Sequence, residues 1–288
     1  MSTLEHKIDF IMLFTVNGAN PNGDPLSGNM PRTDYDGYGE VSDVCIKRKI
    51  RNRIQDMGHP IFVQSDERID DGHKSLEERF GANFDSPPKD PDDKVYHASC
   101  EKWMDIRSFG QVMTFQNRSI GIRGPVSISL AKSLSPVDVI SMQIVKSTNG
   151  MIPKKASGRA PDRMGNKHFV EFGTYMVKGS INTYFAEKTG FTNEDAEVIK
   201  EGLRTLFVND ASSARPEGSM EVKQLYWFTH PSKLGVASSA RIQNLIEIQI
   251  KGNVLKPTRY EDYKVALNKE KLAQLESKGL RVDTIEGI

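Results

Sequence analysis

Between Lys47 and Arg53, five of seven residues are cationic: Lys47, Arg48, Lys49, Arg51 and Arg53. Ammonium and guanidinium groups at that density suit phosphate oxygens, which they meet with charge-assisted hydrogen bonds. The stretch ahead of them, residues 17 to 40, reads NGANPNGDPLSGNMPRTDYDGYGE. Its glycines and asparagines let bare backbone N–H groups come close to a ligand. A second cationic stretch holds Lys146, Lys154, Lys155, Arg159, Arg163 and Lys167 against one acid, Asp162. Either stretch alone reads as a solvated charged face. Two on one chain point to a polyanion.

Other chemistries find less support. Asn20, Asn22 and Asp24 begin like a calcium loop, but Pro25 stands where glycine is required and Pro31 where the closing glutamate belongs. No GxxxxGK[ST] and no GxSxG is present. The six histidines show no metal-ligand spacing, and His97 with Cys100 is an isolated pair. No cofactor or metal is therefore expected. Asp34 and Asp36 could serve acid–base chemistry on a phosphodiester, but shaping the turn at Asp36–Gly37 is the preferred reading. His168 reads in the same way, as a strand-end residue before a general base.

The elements that must carry these residues follow from pattern. KIDFIMLFTV, Lys7 to Val16, is a central strand, too short and too evenly apolar for a helix. Asn17 to Glu40 is then a long functional loop. A helix over Val41 to Met57 is capped by Ser42, with Ile46, Ile50, Ile54 and Met57 on its core stripe. Arg53 lies near that stripe and is expected to snorkel outward. Residues 65–100 are acidic and proline-containing, a surface insertion of which part is mobile. Strands are expected over 118–130, 137–145, 169–183, 221–229 and 242–250. Thr192 caps a helix with Asp195 in the capping-box position, and 260–278 reads as a polar helix. Strand–helix–strand twice over is the α+β split pattern of ferredoxin-like and RNA-recognition folds.

The bulk numbers are compatible with this. The chain has 288 residues, 37% apolar and 27% charged, enough for one large domain. With 39 basic and 38 acidic residues the net charge is +1, so only local segregation of charge speaks for a polyanion. No apolar run reaches a membrane-spanning length of about 18 residues. Two cysteines and no leader-like N-terminus fit a reducing, cytoplasmic setting.

The run NPNGDPLSGNMPRTDYDGYGEVSDVCIKRKIRN at 20–52 resembles the signature of a CRISPR-associated family, the backbone subunit of the type I-C Cascade complex in the Cas-seven superfamily. DIRSFG at 105–110, RGPVSIS at 123–129, RMGNKHFVEFGTYMVKGSI at 163–181, EKTGFTNED at 187–195 and SSAR at 212–215 are similar to its later stretches. The resemblance implies a single RNA-recognition-motif-like palm over 1–288. It carries a finger or helical insertion at 58–118 and a thumb hairpin at 146–168, with a C-terminal helical extension at 252–288.

The resemblance also implies a non-catalytic subunit that oligomerises head to tail along CRISPR RNA and meets target DNA through the guide. Its further partners would be the Cas-five and large subunits of Cascade. A ribonuclease acting on repeat RNA is the alternative. Holding a guide of any sequence calls for phosphate contacts. Arg32, Ser42, Lys47, Arg48 and Arg51 are expected to make them, with Lys154, Lys155, Arg159, Arg163 and Lys167 reaching from the thumb. Met151 and Ile152 are candidates to wedge between bases. Replacing Lys47 and Arg51 by alanine is expected to weaken RNA binding and leave stability almost unchanged.

Overall fold

The computed structural model describes residues 2–86, 89–145 and 164–288. At its centre is β1 (Ile8–Ala19), in which every residue from Ile8 to Val16 is buried. An evenly apolar strand has two faces to cover, and the rest of the chain supplies a layer for each. On one edge β1 pairs antiparallel with β10 (Met164–Ile181), from Ile8 opposite Ile181 to Ala19 opposite Val170. On the other it pairs with β11 (Met220–Thr229), across a bulge at Leu13–Phe14. The sheet runs β14 (Arg281–Glu286), β11, β1, β10, β8 (Ala131–Pro136), β4 (Tyr38–Val41), with β7 (Val126–Ile128) and β9 (Val139–Val145) also on β10.

Alternation along β1 sorts its side chains into two cores. Phe10, Met12 and Phe14 join Ile46, Ile50 and Ile54 of α1 (Asp43–Asp56) and Ile199 and Leu203 of α6 (Asn193–Arg204). Phe10 stacks on Trp227 and Phe14 on Tyr175, with ring centroids 5.5 and 5.3 Å apart. Each such ring contributes about 1.5–3 kcal/mol by burial. Gly179 keeps this layer closed, because a Cβ there would stand 2.1 Å from the Phe10 ring. Ile11 and Leu13 face the other way, onto α7 (Ser239–Gln243) and α8 (Lys269–Glu276).

Most expected elements appear within a few residues of their predicted ends. Ser42 caps α1, its Oγ accepting from the Cys45 N–H at 3.2 Å. Thr192 and Asp195 form the full capping box of α6. The expected open loop at 17–40 instead contains a small hairpin, β2 (Gly23–Asp24) with β3 (Met30–Pro31), before β4.

Two larger regions also differ from expectation. Residues 65–100 belong to a packed unit with its own core. Phe80, Val95, Cys100, Ile106, Met113, Ile120 and Ile122 come together from α2 (Leu76–Gly81), α3 (Asp92–Lys102), α4 (Met104–Phe109) and the hairpin β5 (Gly110–Met113) with β6 (Ile120–Arg123), joined by Phe62, Phe84 and Trp103 from the connecting segments. The polar background hides widely spaced apolar anchors. Arg79, only 2% exposed, donates to Asp71, Gln64 and the carbonyls of Phe62 and His73.

The expected helical extension at 252–288 is helical only over α8 and a single 3-10 turn. Leu267, within the span 260–278 expected to be a helix, lies on β13 (Tyr263–Leu267), which pairs with β12 (Ile246–Ile250). Asn268 then caps α8, and β14 joins the edge of the main sheet beside β11. The strand expected over 242–250 is likewise split, its first residues closing α7. No helix among the described residues is long and apolar enough to cross a membrane.

Candidate nucleic-acid interface

The N-terminus of α1 is built by the loop before it. Asn22 Oδ1 accepts from the Ser42 N–H at 2.9 Å, and Asn20 Nδ2 donates to the Asn29 carbonyl at 2.7 Å. Arg32 lies 3.3 Å from Asp24 and is about a third exposed. Asp34 holds the following turn, its Oδ1 accepting from the N–H groups of Asp36 and Tyr38 at 3.0 and 2.8 Å. Its other oxygen pairs with Lys132 at 2.5 Å. The Lys132 ammonium and the turn N–H groups hold this carboxyl below its usual range, so at neutral pH it is a poor proton carrier.

The five cations of α1 do not share one fate. Lys47 pairs with Asp43 one turn back, at 3.1 Å. Arg51 pairs at 3.0 Å with Asp105, a fully buried carboxylate that also accepts from the N–H groups of Phe62 and Val63 at 2.7 and 3.0 Å. Arg53 does not snorkel outward: it donates to Thr205 Oγ1 on the flank of α6 and to Asp56, at 3.0 and 2.7 Å. Lys49 is buried against Asp210. Arg48 Nη1 donates to the Val63 carbonyl at 2.8 Å. Burial presses down the pKa of both Lys49 and Arg48, and the neighbouring Arg51 adds to the effect at Arg48. Alanine at Arg51 would strip a buried carboxylate of its counter-charge, so the expectation of unchanged stability does not hold there.

Beside α1 lies a cleft of about 220 Å3 between the helix, Ser65–Arg68 and the loop 209–215. Arg48, Lys49 and Asn52 line one wall, Arg68 a second, and Asp210, Ser212 and Arg215 the third. Arg68 is fixed by Asp56 at 2.6 Å and the Asn209 carbonyl at 3.0 Å. Arg215 Nε donates to Asp210 at 3.1 Å. Ser65 Oγ is buried and without a partner among the described residues. Burial pushes the Cys45 thiol up despite the cations near it, so it stays protonated. Four cations and two carboxylates, Glu67 and Asp210, meet here, leaving the cleft net positive.

Sequence reading missed Arg68, Ser212 and Arg215. The only signal for the last two was the SSAR stretch, which carried no role. A larger cleft of about 540 Å3 lies between α3, α5 (Thr183–Thr189) and α6. Its rim carries Glu101, Glu187 and Glu194, and its one arginine, Arg107, is held by Asp195 at 2.8 and 2.9 Å. That charge is wrong for phosphate.

The second cationic stretch is described only at its end. Lys154, Lys155, Arg159, Arg163, Met151 and Ile152 lie outside the described residues. Lys167 sits on a two-stranded ribbon, opposite Met142, where β9 and β10 run on past the end of β1. Ile140, Met142 and Ile144 alternate along one face of this ribbon and are 36, 51 and 49% exposed. His168 Nδ1 lies 2.8 Å from Ser141 Oγ on the opposite face.

A family model described as CRISPR-associated protein Cas7 matches residues 6–268. A CRISPR-associated protein Cas7 of Haloferax volcanii is 26% identical over 215 residues, which cover 68% of this chain and 62% of that protein. The chain thus spans less than two thirds of the length of that curated relative. Among solved structures, a chain of a "CRISPR RNA-guided surveillance complex, pre-nicking" aligns with a TM-score of 0.48 and 14% identity, over 77% of this chain and 78% of that one. A chain of a "CRISPR RNA-guided surveillance complex" aligns at 0.45 and 16%, over 77% and 68%.

Proposed function

The chain belongs to the CRISPR-associated Cas7 family, and we propose that it is the CRISPR RNA-binding backbone subunit of a type I-C Cascade effector. In this reading the large sheet is an RNA-recognition-like palm. Its support is the strand order β11–β1–β10–β7, all antiparallel, with α1 following the first strand and α6 preceding the last. The subunit works in the cytoplasm and strings copies of itself along one guide. It meets target DNA through the guide, beside the Cas-five and large subunits.

The observation that carries the reading is the net-positive cleft beside α1, where guanidinium groups from three separate stretches converge. Its lining residues include no aromatic ring. A cleft of cations, amides and hydroxyls without rings fits the sugar-phosphate chain better than the bases, as a guide of arbitrary sequence requires. Arg48 then positions phosphates in the cleft, and Arg32, Ser42 and Lys47, which are not among its lining residues, position them outside it. Arg51 acts on them through Asp105 and the shape of α1. Lys154, Lys155, Arg159, Arg163 and Lys167 reinforce the grip from the thumb, and Met151 and Ile152 wedge between bases.

The subunit is non-catalytic in this reading. Asp34, the leading candidate base for a ribonuclease, spends its carboxylate on its own turn and on Lys132. Binding of synthetic CRISPR RNA, followed across a salt series, tests the proposal. The expected result is intact RNA and a log–log slope of about −0.7 for each phosphate neutralised. Salt-independent binding, or cleavage lost in Asp34→Ala, would overturn it.

A further inference from the structure

Lys49 stands in the middle of the cationic run and on a wall of the cleft, yet it is only 4% exposed and its ammonium is taken up by Asp210. A buried ammonium persists only with a counter-charge. Asp210 supplies it, and the same oxygen, Oδ2, also accepts from Arg215 Nε at 3.1 Å. One carboxylate oxygen therefore ties a cation on α1 to a cation on the loop after α6. The Phe207 ring lies 5.7 Å from the Lys49 ammonium and walls the pair from below.

The loop itself is closed by two reciprocal bonds, from the Ser212 N–H to the Arg215 carbonyl at 2.8 Å and from the Arg215 N–H to the Ser212 carbonyl at 3.0 Å. The Asn20 N–H donates to the Ala214 carbonyl at 2.9 Å and pins the loop beside the end of β1. With Nε engaged, the two Nη groups of Arg215 carry no partner among the described residues, and the side chain lines the cleft beside Ser212 and Arg48.

We infer that Lys49 is a positioning residue for RNA binding: through Asp210 it aims Arg215 at a backbone phosphate, and Arg215 makes the contact. The inference rests on the proposed RNA-binding role and adds two residues to it. Lys49 acts on RNA without touching it, and the 209–215 loop supplies the guanidinium.

The test is fluorescence anisotropy of the full chain with a labelled single-stranded RNA of mixed sequence, across a salt series. Arg215→Ala should flatten the log–log slope by about 0.7, the loss of one phosphate contact on a single strand. Arg215→Lys keeps the charge but loses the Nε bond to Asp210, and should bind several-fold more weakly than wild type. Lys49→Met should flatten the slope as Arg215→Ala does, and the double variant should lose no more than either alone.

A merely structural Lys49 would lower the melting temperature without moving the slope, and that result would overturn the inference. If Lys49→Met does not fold, Arg215→Lys decides: wild-type affinity there would show that aiming by Asp210 is not needed. Wild-type protein with no salt-sensitive RNA binding would instead remove the RNA-binding role itself. Salt-sensitive wild-type binding with an unchanged slope in Arg215→Ala would remove only this inference.

Discussion

Helix α1 and the β9–β10 ribbon invert each other. The helix is crowded with charge, yet each of its five cations between 47 and 53 has a partner inside the molecule. The ribbon is apolar along one face, yet Ile140, Met142 and Ile144 are exposed and join no core cluster among the described residues. Charge on α1 serves first to hold layers together, and only what is left over faces the cleft. On the ribbon the unused property is hydrophobicity. Surface chemistry is thus set by what remains after internal pairing, not by the count of residue types.

The largest effect that would break this contrast is at Asp105. Asp105→Ala leaves Arg51 unpaired and two backbone N–H groups unsatisfied, and should cost about 3–5 kcal/mol in urea unfolding. A loss under about 1 kcal/mol would mean that α1 is not anchored by its charges. Acid titration follows. The Arg79 guanidinium holds the Asp71 carboxyl down to about 2, from an ordinary 3.8. Because the folded value is depressed, the stabilisation is complete above about pH 4 and lost as pH falls through about 2. It amounts to about 1–2 kcal/mol once partial exposure is allowed for. Arg79→Met should erase that window.

Smaller effects sharpen the other half of the comparison. Ile144→Ser on the ribbon should change stability by no more than about 0.5 kcal/mol. A loss of several kcal/mol would place that face in a core. Lys47→Ala removes a partly exposed pair with Asp43 and should cost about 0.3–0.5 kcal/mol, read by thermal melting. Its RNA-binding slope should nonetheless flatten, since this ammonium is about a quarter exposed and free to trade partners.

What was legible in the sequence was local. Ser42, Thr192 and the Ile46–Ile50–Ile54 stripe act within a turn or two, so spacing alone places them. β1 was legible because residues 8–16, IDFIMLFTV, are apolar but for Asp9 and Thr15 and leave no polar face. The partners of the cations were not legible, because they are far along the chain: Asp105 is 54 residues from Arg51, and Asp210 is 161 from Lys49. Spacing carries no information at such separations. The edge strand β14 reads RVDTIE and buries little, so its alternation is weak and its partner β11 decides its state. The insertion at 65–100 was misread because Phe80, Phe84 and Arg79 are few among many acids. Its compactness comes from two buried guanidiniums, Arg79 and Arg118, the second donating to Asp92 and the Asp85 carbonyl, and one aromatic cluster.

The central claim is that the cleft between α1 and the 209–215 loop holds the guide's backbone. Photo-cross-linking of the protein to CRISPR RNA carrying photoreactive uridines, with the attached peptides identified by mass spectrometry, tests it most directly. The account predicts cross-links in peptides spanning Arg32–Asn52 and Asn209–Gly218. Cross-links confined to the α7–α8 side of the sheet, with none in either of those peptides, would contradict it.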